Sequence, residues 1–96
     1  MDTKQQLIEQ IYSLVTQLPS TCLLRLGDIS LVIFHNVLGD YGELLSKRDI
    51  YVYDNETFIG SIYDECGGIY YDGFDTIDEK PFLESIIKQL QTRQED

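Results

Sequence analysis

The chain has 96 residues, 43% of them hydrophobic, with 17 acidic side chains against 7 basic ones and a formal charge of −10. That length supports one core, hence a single domain over 1–96, and the apolar content separates it from disordered acidic chains. The charge excludes direct binding to nucleic-acid phosphates or anionic lipid, both of which need clustered Lys and Arg, and no apolar run reaches the roughly 20 residues of a membrane-spanning helix.

Leu7, Ile8, Ile11, Leu14, Val15 and Leu18 recur at spacings of three and four, the stripe of an amphipathic helix over about residues 3–18. Thr3 with Gln6 reads as a capping box, and Pro19 stops the run because it pushes its predecessor out of helical dihedrals. Thr21–Leu26 and Ile29–His35, joined by Gly27-Asp28, read as a β-hairpin. The second run is apolar on both faces, with Ile29, Leu31 and Ile33 on one and Val32 and Phe34 on the other, so it is expected to lie centrally beneath helices. From Asn36 to Arg48 the pattern lapses into turn signals at Gly39, Asp40 and Gly42, with Glu43–Lys47 expected to form one helical turn in a loop long enough for a functional excursion.

Asp49–Tyr53, Thr57–Tyr63 and Ile69–Asp72 are separated by Asp54-Asn55-Glu56 and Cys66-Gly67-Gly68, which predicts a three-stranded meander. Ile50 and Val52 alternate with Tyr51 and Tyr53, while Phe58, Gly60 and Ile62 alternate with Thr57, Ile59, Ser61 and Tyr63, so one register gathers tyrosines. Phe82, Leu83, Ile86, Ile87 and Leu90 mark a second helix that starts near Asp78 with Pro81 in its first turn, and Gln91–Asp96 is expected to fray. The resulting fold class is α+β: an N-terminal helix, about five mostly antiparallel strands and a C-terminal helix, with both helices on one face of the sheet.

One segment stands out chemically. Between Asp49 and Glu79 lie nine carboxylates, no Lys or Arg, and five of the seven tyrosines. A surface shaped by solubility alone intersperses both signs, so a one-sign stretch suits a cationic partner. Tyrosine supplies rigid contact area with a polar tip, and carboxylates pair with Arg or Lys and steer association. The candidate partner-binding residues are Asp49, Tyr51, Tyr53, Asp54, Glu56, Tyr63, Asp64, Glu65, Tyr70, Tyr71, Asp72 and Asp75. Carboxylates on one face of a strand recur about every 6.6–6.8 Å, close to two steps of duplex rise, which brings nucleic-acid mimicry within this reading.

Catalytic and metal signals are weak. His35 has no identifiable nucleophile or orienting acid. Cys66 sits in an acidic turn without the positive neighbour that activates a thiol, and Cys22 reads as core or strand filler. One histidine and two distant cysteines do not make a zinc site, and Asp72, Asp75, Asp78 and Glu79 lack the spacing of a calcium loop. No catalysis, metal or cofactor is therefore expected. Without a leader pattern, the thiols are expected to be reduced and the protein cytoplasmic.

The functional expectation is a small acidic, non-enzymatic protein that docks an Asp/Glu/Tyr-rich surface on a basic protein, with no direct nucleic-acid or membrane binding. Inhibition or regulation of a nucleic-acid-handling protein fits this profile, in the manner of phage, mobile-element or immunity-type inhibitors. The alternative is a self-associating structural or adaptor module, such as a homodimer, whose acidity serves only solubility.

Overall fold

The computed structural model describes residues 4–18, 22–35, 38–43, 47–65, 67–75 and 79–94. The capping role of Thr3, the Pro19 stop, the helical turn through 44–46, Cys66 and the Asp78 helix start fall outside them. In chain order the elements are α1 (Lys4–Thr16), β1 (Leu23–Leu26), β2 (Ile29–His35), β3 (Arg48–Asp54), β4 (Thr57–Glu65), β5 (Gly68–Gly73) and α2 (Glu79–Gln94). The five strands form one antiparallel sheet in the order β1-β2-β3-β4-β5, each pairing with its sequence neighbour. Both helices lie on one face, as the residue pattern predicts.

Leu7, Ile8, Ile11 and Val15 of α1 and Leu83, Ile86, Ile87 and Leu90 of α2 meet Leu24, Leu31, Ile33, Ile50, Val52 and Ile62 of the sheet in a single buried cluster. The helical stripe and the period of two in the strands thus point at the same interior. Among the described residues no polar or charged residue is buried in it.

Gly60 and Gly73 close this core at the β4–β5 end. A Cβ on Gly60 would stand 2.5 Å from a Phe74 ring carbon, and one on Gly73, whose φ is +86°, would stand 2.6 Å from the Ile59 carbonyl oxygen. Only glycine permits that approach. Phe74 follows with a left-handed φ of 64° and is fully buried, its amide donating to the Ile59 carbonyl at 2.9 Å. The chain therefore leaves β5 by folding an aromatic ring inward.

Several expectations change. β2 does lie between two strands, but only one of its faces is covered: Ile29, Leu31 and Ile33 are buried while Phe34 is exposed. In β4 simple alternation fails because the β3–β4 register shifts between Val52 and Tyr53, pairing Val52 with Gly60 and Tyr53 with Phe58. The extra residue in this bulge, Ile59, enters the core, and Phe58 moves to the other face. Cys22 is exposed just before β1 rather than filling the core. α2 extends to Gln94, past the Gln91 where the apolar pattern ends.

The sheet edges are tied down by the helices. In β1 the carbonyl of Arg25, which points away from β2, accepts a 2.7 Å hydrogen bond from Arg93 of α2. In β5 the carbonyl of Ile69 accepts a 2.7 Å bond from the Gln5 amide of α1, and Lys4 donates to the Phe74 carbonyl at 3.2 Å. On each edge one outward carbonyl that could template another strand is thus occupied by a helix side chain. Among the described residues no helix is long and apolar enough to cross a membrane.

Candidate functional site

The face of the sheet opposite the helices carries no covering element among the described residues. The registers define its rows. Arg25, Ser30, Tyr53 and Phe58 form one row across β1–β4, and Leu23, Val32, Tyr51, Ser61 and Asp72 form the next across all five strands. Phe34 and Asp49 are paired across β2 and β3, and Tyr63 and Tyr70 across β4 and β5.

These rows place rings in contact. Phe34 meets Tyr51 edge-on at 5.4 Å between centroids, Tyr51 lies 6.3 Å from Phe58, and Phe58 meets Tyr53 at 5.5 Å. Tyr63 stacks on Tyr70 at 6.1 Å. Such spacings fall in the favourable range for aromatic pairs. Yet the rings stay open to solvent: Phe34 is 54% exposed, Phe58 50%, Tyr70 49%, and Leu23 beside them 51%. An uncovered patch of this kind marks a contact surface more often than chance.

Carboxylates border the patch, Glu65 and Asp72 on its β4–β5 side and Asp49 on β3 opposite Phe34. Asp72 and Glu65 are exposed and Asp49 is half-buried, and none of the three is ion-paired among the described residues. Burial raises the Asp49 carboxyl above its ordinary value of 3.8, with Lys47 pulling the other way. Partial desolvation, then the charges of Asp72 and Glu65, raise the Tyr63 phenol, with the neighbouring Asp72 carboxylate and Tyr70 acting in the same direction. At the end of the sheet, Asp49, Tyr63, Asp64 and Glu65 open on a surface cleft of about 370 Å³ whose far wall is Leu38–Tyr41 and Glu43.

Seven of the twelve candidate residues thus share the open face: Asp49, Tyr51, Tyr53, Tyr63, Glu65, Tyr70 and Asp72. The other five do not. Tyr71 pairs with Ile62 on the helix side, packs on the core and touches Phe74 at 6.2 Å. Asp64 follows the same helix-side parity, paired with Ile69. Asp54 and Glu56 flank the β3–β4 turn, where Asn55 and Glu56 both adopt positive φ, the signature of a type I′ hairpin. Asp75 is neutralised by Lys4 at 3.5 Å, the same ammonium that lies 4.9 Å from the Tyr71 ring centroid.

The pattern of charge and tyrosine does not reveal Leu23, Val32, Phe34 and Phe58, the apolar part of the face. For Phe34 the signal was present in the non-core parity of β2. For Phe58 the bulge concealed it. Among the described residues no group of three or more His, Cys, Asp and Glu is placed to hold a metal ion. Comparison with protein-family models, curated proteins and solved structures returned no match to this chain, so function is argued from its own residues.

Proposed function

We propose that this is a small acidic, non-enzymatic binding protein of the cytoplasm that docks its uncovered sheet face on the basic surface of another protein. By occupying that surface it inhibits or regulates a partner that handles nucleic acid. The observation that carries the reading is a continuous aromatic patch, Phe34, Tyr51, Tyr53 and Phe58, bordered by Asp49, Glu65 and Asp72, none of them in an ion pair among the described residues. Interface cores favour aromatics, and an unpaired acidic border attracts a basic partner and speeds encounter. The capped sheet edges favour this face over strand addition as the point of contact.

The test compares two forms of the full chain as bait in native lysate at low salt: wild type and the combined Asp49→Asn, Glu65→Gln, Asp72→Asn variant. A basic protein should be retained by wild type, released by a salt step, and lost with the variant. A control with Glu9→Gln and Glu84→Gln on the helices should retain it. Equal capture by wild type and the face variant, or capture unaffected by roughly 0.5 M salt, where the Debye length falls to a few ångströms, would overturn the reading.

A further inference from the structure

We infer that the contacting element of the partner is an amphipathic basic helix, laid across the uncovered face as a third layer, rather than a purely cationic surface. The inference rests on the docking proposed above and specifies its chemistry. Three observations lead to it.

First, the face is not uniformly acidic. Its β1–β3 side presents Leu23, Val32, Phe34 and Tyr51, its middle Tyr53 and Phe58, and its β4–β5 side Glu65 and Asp72 with the stacked Tyr63 and Tyr70. A row of carboxylates imitating phosphates would leave the exposed rings of Phe34 and Phe58 without a purpose. A ligand with both an apolar stripe and flanking cations fits both halves.

Second, the geometry selects the element. Both edges have carbonyls occupied by Arg93 and Gln5, which disfavours a strand joining the sheet. The element that packs on the face of a sheet is a helix with one apolar stripe. Crossing from Leu23 on β1 to Asp72 on β5 spans four strand spacings, about 19 Å, or about 13 helical residues.

Third, the charges choose the sign. Arg25 is the one cation on the outward parity of the described strands, at the edge away from Asp72 and Glu65, and Lys47, just before β3, sits by Asp49 at the cleft. Arginine and lysine flanking the stripe would lie over the acidic side and against tyrosine rings, gaining ion pairs and cation–π contacts together. A second copy of this acidic chain, meeting it face to face, would match ring to ring but set carboxylate against carboxylate.

Two synthetic peptides of equal length and equal positive charge test it against the full chain. One has a leucine stripe flanked by Arg and Lys in helical register; the other is built from Arg, Lys, Ser and Gly with no apolar stripe. Titration followed by amide chemical shifts should give at least tenfold tighter binding for the first, with shifts on β1–β4 outward residues. Phe58→Ser and Phe34→Ser should each weaken the first peptide several-fold and leave the second unchanged. Equal affinity for both peptides, insensitive to these variants, would overturn the amphipathic helix while leaving a basic partner standing. Absence of binding by either peptide would overturn both readings. Sedimentation showing a dimer broken by Phe58→Ser would replace the helix with a second copy.

Discussion

The two faces of this sheet are made by the same strands, residue by alternate residue, and they have opposite fates. Leu24, Leu31, Val52 and Ile62 point to the helices and are buried, whereas Leu23, Val32, Tyr51 and Ser61, their chain neighbours, point away from them. Both faces hold apolar and aromatic side chains. What separates them is that one is covered by α1 and α2 and the other has no cover among the described residues. Apolar character alone therefore does not define the core; it defines surfaces that are better covered, and the docking proposed above would cover the second.

The sharpest way to break that comparison is to remove a ring from each face. Phe74 is fully buried and Gly60 is shaped to receive it, so Phe74→Ala should destabilise by about 3–5 kcal/mol in urea unfolding. Phe34→Ala, on the open face, should change stability by less than about 1 kcal/mol while weakening partner binding. If both substitutions were equally destabilising, Phe34 would be a core residue and the open face a misreading.

A second test concerns the edges. Replacing Gln5 and Arg93 by Ala removes two helix-to-edge hydrogen bonds, each contributing about 0.5–1.5 kcal/mol, and frees the carbonyls of Ile69 and Arg25. Light scattering should then show more self-association than wild type, because a bare edge templates another strand. Variants that match wild type in oligomer size and melting temperature would mean the edges are protected by other means, and the two hydrogen bonds would no longer favour the face over the edge.

The architecture was legible because its signals are local. Leucine and isoleucine at helical spacing, Gly27-Asp28 between two apolar runs, and turn residues on either side of Thr57–Tyr63 each determine a nearby conformation, and the antiparallel meander follows from short connections. Two things were not legible. The bulge opposite Val52 and Tyr53 is a tertiary accommodation: Ile59 gains a buried site and Gly60 makes room for Phe74, a residue fourteen positions later. The acidic segment looked like one patch because charge along a chain is not charge in space; strand parity sent Tyr71 and Asp64 to the helix side, and Lys4, 71 residues before Asp75, reached across to pair with it. The tyrosines of β3 and β4 drew attention to the open face, but its apolar half needed the register to be seen.

The smallest expected effect is a pH dependence. The folded-state pKa of Asp49 is raised by burial above 3.8, so between that value and the raised one the folded protein holds a proton that the unfolded chain has released. Stability must therefore fall as pH rises through the window, and the penalty persists above it. Asp49→Asn removes the titration, and its melting temperature should match wild type near pH 3 but lie above it at pH 7. A variant no more stable at pH 7 would place the carboxylate in a compensated setting, with Lys47 offsetting the burial. A higher melting temperature joined to weaker partner binding would instead tie Asp49 to recognition at the open face, as a charge held half-buried beside Phe34 at a loss to the fold and recovered only when a cation meets it.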